Sequence, residues 1–320
     1  MTEITHRTVK ANGISLHIAE AGSGPLVLMV HGFPELWYSY RHQLPALAEA
    51  GYHAAALDVR GYGQSDTPYE IEAYSMKQMT SDAVGILDAL REETAVIIGH
   101  DWGGPIAWNS AVLYPDRFRA VVGLSVPFIR RSALPPTQMF KQIFRDNFFY
   151  MLYFQEPGIA EAEFESNVRQ SMKLMLYAAS GEARDDPSGF GSAFANKPKD
   201  SKLFDGVPDR DLPPWLTNED LDYYAENFQR TGFRGPLNRY RCMDLDWQQL
   251  PELAEATVSQ PALFIAGDRD GVIAMSNPEA MKPFVPNLRK SVILPGCGHW
   301  TQQERPAEVN AEIITFLRSL

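Results

Sequence analysis

Val96-Ile97-Ile98-Gly99-His100-Asp101-Trp102-Gly103-Gly104-Pro105 runs from an apolar stretch through a glycine-flanked turn into a segment with helical periodicity. Small residues bracket the turn because the backbone bends too tightly there for bulky neighbours, and the bend lifts one side chain, Asp101, above the sheet edge. The pattern has the form of a nucleophile elbow. Gly-x-Asp-x-Gly alone is short enough to recur by chance, so its weight comes from the strand before it and the helix after it.

Outward from this point, continuous apolar runs at residues 26–30, 54–57, 95–98 and 121–124 read as buried parallel strands. The stretches 42–50 and 75–90 carry apolar residues three and four apart and supply the crossover helices that parallel strands require. Upstream, residues 6–10 and 14–19 flank Asn12-Gly13 and predict a hairpin. The β-α-β succession stops after Pro127. Aromatic and Met-rich helical stretches (140–154, 168–177) and a polar Gly/Pro/Asp-rich stretch (181–214) follow, before strand signals return at 262–266 and 291–294 and an amphipathic helix at 307–320 closes the chain. The expected architecture is α/β: a mostly parallel central sheet formed by residues 1–127 and 246–320, with an inserted helical cap over 128–245.

The 320 residues suffice for a substantial core. Twenty-nine basic against 40 acidic residues give a net charge of −11, which argues against nucleic-acid or anionic-membrane partners. Cys242 and Cys297 stand far apart with no ligand-spaced neighbours, predicting neither a disulfide framework nor a zinc site. With no signal-peptide centre and no bilayer-length apolar run, a soluble, cytoplasmic protein is expected.

A carboxylate at the elbow tip, rather than a hydroxyl, can displace a leaving group at an sp³ carbon and form an alkyl ester. Hydrolysing that ester needs a base for water. His299, in Gly296-Cys297-Gly298-His299-Trp300 beyond the last strand, is placed for it. The base needs an orienter, and Asp270 in Gly267-Asp268-Arg269-Asp270-Gly271 is the candidate, with Asp268 its rival. Backbone N–H groups of Phe33, in His31-Gly32-Phe33-Pro34-Glu35, and of Trp102 are candidates for an oxyanion hole.

Taken with Arg60-Gly61-Tyr62-Gly63-Gln64-Ser65-Asp66, these motifs resemble those of the soluble epoxide hydrolases of the α/β-hydrolase superfamily over nearly the whole chain. The resemblance extends to the stretches Tyr153-Phe154-Gln155-Glu156-Pro157-Gly158 and Gly232 to Tyr240, which implies that Tyr153 and Tyr240 are the ring-opening tyrosines. With no nucleotide loop or metal cluster in the sequence and a chemistry that needs only water, neither cofactor nor metal is expected, and the aromatic run Phe144, Phe148, Phe149, Tyr150, Leu152 and Phe154 in the cap suggests an apolar epoxide as substrate. An epoxide oxygen leaves as a poor alkoxide, so two phenols that hydrogen-bond it suit the chemistry. A haloalkane dehalogenase shares the nucleophile, the following Trp and the base, but usually has Asn where Phe33 stands and lacks the cap tyrosine motifs. A fluoroacetate-type dehalogenase would carry Arg where this chain has Trp102. A non-enzymatic receptor or scaffold on this fold would fit a missing triad member, and none is missing.

Overall fold

The computed structural model describes residues 3–185 and 197–320; residues 186–196, within the polar stretch 181–214, lie outside the described residues. Eight strands form one sheet in the order β1-β2-β4-β3-β5-β6-β7-β8. They are β1 Thr5–Ala11, β2 Ile14–Ala21, β3 Leu26–Val30, β4 His53–Leu57, β5 Ala95–His100, β6 Phe118–Leu124, β7 Ala262–Gly267 and β8 Leu288–Leu294. The β1–β2 hairpin and the β2–β4 pair are antiparallel, and every pairing from β4 to β8 is parallel.

The continuous apolar strands are buried on both faces because side chains alternate between two cores. Leu26, Leu28 and Val30 of β3 join one core and Val27 and Met29 the other; Ile97 and Val96 of β5 divide the same way. The first core is closed by α2 (Met76–Leu90) and α3 (Gly103–Leu113). The second is closed by α1 (Gln43–Glu49) and the C-terminal helix Pro306–Leu317. Each fully buried Leu, Ile or Val contributes about 1.5–3 kcal/mol relative to an exposed one.

Between β6 and β7 the chain leaves the sheet and forms α4 (Pro136–Ile143), α5 (Tyr150–Tyr153), α6 (Ile159–Glu165), α7 (Val168–Ala178), α8 (Asn218–Thr231), α9 (Arg234–Arg241) and α10 (Met243–Gln249). The helical stretch expected over 140–154 is therefore broken in two. Its middle is taken by an antiparallel bridge of Asn147 with Pro198, and the Phe148 N–H donates to Lys197 O at 2.9 Å instead of to the preceding turn. Helix α10 runs through residue 245, where the cap was expected to end. Phe154, Phe164, Tyr224 and Phe233 of this insertion belong to the same core as α2 and α3, so the inserted unit packs on one face of the sheet. Beyond β7 come α11 (Gly271–Met275), α12 (Thr301–Glu304) and α13, the C-terminal helix Pro306–Leu317.

Candidate active site

Asp101 stands directly after β5 with φ +49, a left-handed conformation that costs a non-glycine residue on the order of 1–3 kcal/mol and marks functional turns. Helix α3 starts two residues later. Gly103 permits this, because a Cβ there would run into the Val30 carbonyl at the end of β3. Trp102 caps α3, so its N–H is one of the amides that a helix start leaves without an intrahelical partner.

Two loops at the same sheet edge converge on the carboxylate. The Phe33 N–H donates to Asp101 Oδ1 at 2.7 Å. His299 Nε2 lies 3.4 Å from Asp101 Oδ2, and His299 Nδ1 lies 3.0 Å from Asp270 Oδ2. The other Asp270 oxygen accepts the Val272 N–H at 2.8 Å, capping α11. Of the two acids weighed as orienters, Asp270 is the one within reach of the imidazole; Asp268 Oδ1 accepts the Gly296 N–H across the turn. Burial alone would push the His299 imidazole down, but carboxylates at both ring nitrogens outweigh it and hold its pKa well above the ordinary 6.5.

Behind the histidine lies a second buried acid–imidazole pair to which the sequence reading gave no role, although both members sit inside its motifs. His100 Nδ1 is 2.6 Å from Glu35 Oε2, and His100 Nε2 is 2.7 Å from the His299 carbonyl oxygen. Burial raises the Glu35 carboxyl, yet His100, His31 and the Gly32 N–H bring it down to about 2. Ser125 Oγ donates to the same His299 carbonyl at 2.8 Å.

Facing Asp101 from the insertion, Tyr240 is buried, with its ring 5.4 Å from that of Phe33 and 5.2 Å from that of Trp102. The phenol beside it is Tyr150, 6.0 Å away between ring centroids. Burial first, and the negative charge of Asp101 second, raise both phenols well above 10, so both remain protonated donors at neutral pH. Tyr153, expected as the partner of Tyr240, has its hydroxyl engaged by another group, donating to Glu163 Oε2 at 2.6 Å. Glu163 also accepts the Leu203 and Phe204 N–H groups, so Tyr153 ties α5 to the chain beyond residue 197. The sequence offered no signal to choose Tyr150 among the cap tyrosines. Tyr223 and Tyr224 instead serve the contact with the sheet domain, through Trp37 Nε1 and Gln303 Oε1.

Aromatic rings pack around Phe33: Phe154, Phe164 and Phe233 stand edge-on to it at 5.8, 5.7 and 6.5 Å. Phe144 and Phe149 stack on one another at 4.0 Å, a packing role. Cys242 and Cys297 are buried thiols. Among the described residues no group of three or more His, Cys, Asp or Glu side chains is arranged to hold a metal, and no helix is long and apolar enough to cross a membrane.

The profile of the alpha/beta hydrolase fold family matches residues 25–306. Epoxide hydrolase A of Mycobacterium tuberculosis is 46% identical over 99% of this chain and 98% of its own length. Epoxide hydrolase 3 of Siraitia grosvenorii is 42% identical over 99% of both chains. Among solved structures, epoxide hydrolase A from Mycobacterium thermoresistibile superposes with a TM-score of 0.93 at 47% identity, covering 99% of this chain and 98% of that one. An epoxide hydrolase from an endophytic Streptomyces superposes at 0.95 with 48% identity, covering 98% and 95%.

Proposed function

The chain belongs to the epoxide hydrolases of the alpha/beta hydrolase fold family, and from that membership we propose that it converts an apolar epoxide to a vicinal diol through a covalent ester on Asp101. The observation that carries this reading is a carboxylate, not a hydroxyl, at the elbow tip, with His299 and Asp270 on one side and the Tyr150 and Tyr240 phenols across from it. An Asp101 oxygen attacks a ring carbon as the C–O bond breaks, and the two phenols hydrogen-bond the departing oxygen, one giving it a proton. This requires phenols that are protonated at neutral pH, which burial and the Asp101 charge favour. An oxygen leaving group fits this pair of donors better than a halide, which takes up no proton.

Ester formation then prepares the second half-reaction. Asp101 loses its charge, so one of the two carboxylates that hold His299 protonated disappears and the imidazole becomes easier to deprotonate. The imidazolium gives its proton to the phenolate left by ring opening; neutral His299 then takes a proton from water, the resulting hydroxide attacks the ester carbonyl, and Asp270 stabilises the imidazolium. The tetrahedral intermediate collapses by breaking the bond to the diol oxygen, which takes the acid proton of the new Asp101 carboxyl and leaves the carboxylate as it began. The Phe33 and Trp102 N–H groups receive the developing oxyanion. The reading assigns residues 128–245 as the cap over the site, requires neither cofactor nor metal, and takes the enzyme to be cytoplasmic.

A single-turnover reaction in ¹⁸O-water tests the ester: label should enter Asp101 and be absent from the first diol, and Asp101→Ala should lose activity while remaining folded. Label in the first diol would mean direct attack by water, and halide release from haloalkanes without diol formation would favour dehalogenation. The His299→Gln variant should form the ester and stall, visible by intact-protein mass spectrometry as an adduct of the substrate's mass.

A further inference from the structure

The loop that carries His299 is bonded to both halves of the molecule. Its carbonyl is held by Ser125 beside β6, but its own N–H donates to Ala179 O, at the end of α7 in the insertion, at 2.8 Å. One residue on, Trp300 Nε1 donates to Leu176 O of the same helix at 2.7 Å. The two backbones approach so closely that a Cβ on Gly298 would strike the Gly181 amide. Into this contact Glu304 of α12 brings a half-buried carboxylate. Its Oε2 accepts the N–H groups of Gly298 at 2.7 Å and Gly181 at 3.0 Å, and its Oε1 accepts that of Trp300 at 3.1 Å. One side chain therefore gathers the amides on either side of the histidine and an amide just past the end of α7.

We propose that Glu304 is a positioning residue for His299, aligning the base with the ester carbonyl when the end of α7 is seated on the histidine loop. The inference rests on the two-step reading given above, because only the second step uses His299 as a base. A carboxylate that served packing alone would affect both half-reactions together, or neither. A positioning residue slows ester hydrolysis and leaves ester formation, carried by Asp101 and the phenols, at the parent rate.

The test is rapid-quench kinetics and intact-protein mass spectrometry on the full chain with an aryl epoxide, comparing the parent with Glu304→Gln, Gly181→Ala and His299→Gln. Gln keeps the length of the side chain but replaces one acceptor oxygen with a donor. Gly181→Ala perturbs the contact from the other side, where a Cβ would run into the Gly296 carbonyl oxygen and stand 3.0 Å from Glu304 Oε2, so it reports on the seating of the two backbones and not on the carboxylate alone. Both substitutions should slow ester hydrolysis by roughly tenfold or more, since small displacements of a catalytic group cost that much, and both should accumulate ester at steady state. Parallel losses in both steps, or no change in either, would overturn the proposal. If Glu304→Gln does not fold, as judged by circular dichroism, Glu304→Asp, which keeps the carboxylate but shortens its reach to the three amides, decides the matter by the same two rates. If His299→Gln itself accumulates no ester, the two-step reading fails, and that outcome is separate from a failure at Glu304.

Discussion

Asp101 combines an unfavourable backbone conformation with a carboxylate that faces an amide on one oxygen and an imidazole on the other. In the proposed mechanism its attack depends on the phenols opposite, so Tyr150→Phe and Tyr240→Phe should each slow ester formation by roughly tenfold or more, and the double variant by far more. Tyr153→Phe should leave that rate near the parent's, because its hydroxyl serves Glu163. Stopped-flow tryptophan fluorescence checks all three; a large loss with Tyr153→Phe alone would return the role to that residue. Two acids, the buried Glu35 and the half-buried Glu304, set opposite pH trends in stability. Glu35, held at about 2 against 4.5, contributes stability above pH 4.5 that is lost as the pH falls toward 2. Glu304, raised by burial to about 7, has the reverse sign: its contribution is present below 4.5 and lost as the pH rises through 7. Urea denaturation of Glu304→Gln at pH 5 and pH 8 should therefore show a smaller drop between the two than the parent does. Asp101 and His299 were legible because local glycines and neighbouring strands single them out. Asp270 and Asp268 lie on one turn, and the choice of Tyr150 over Tyr153 depends on Glu163, a partner only the folded chain supplies, so no local pattern separates either pair.

At the level of elements, the runs that read as buried strands did so because both faces of β3, β5 and β7 are covered, which leaves no polar alternation to obscure them. The stretch 140–154 misled because its apolar spacing continues through residues whose backbone pairs with Pro198 and Lys197, a contact set by a distant segment. Helix α8 was not resolved in the sequence reading, yet its start is well specified: Thr217 Oγ1 accepts the Asp220 N–H at 3.1 Å while Asp220 Oδ2 accepts the Thr217 N–H at 2.9 Å. The same aspartate reaches the sheet domain, accepting from Tyr38 Oη at 2.9 Å and standing 3.2 Å from Arg41 Nε. Thr217→Ala should cost about 1 kcal/mol in chemical denaturation, the usual penalty for losing an N-terminal cap. Hydrogen exchange should rise first in the opening turn of α8.

Across the whole molecule, a net charge of −11 sets a field that repels anions, while aromatic rings pack around Phe33 beside Asp101. An epoxide bearing a carboxylate should show a kcat/KM that increases with added salt as this field is screened, whereas that of an uncharged aryl epoxide should stay flat; equal salt responses would argue against any steering. The topology places Asp101 before the insertion and both Asp270 and His299 after it, with β6 pairing to β7 across the entire intervening chain. During synthesis Asp101 is thus made first and Asp270 and His299 last, so the three side chains can meet only after the whole insertion between them has been synthesised.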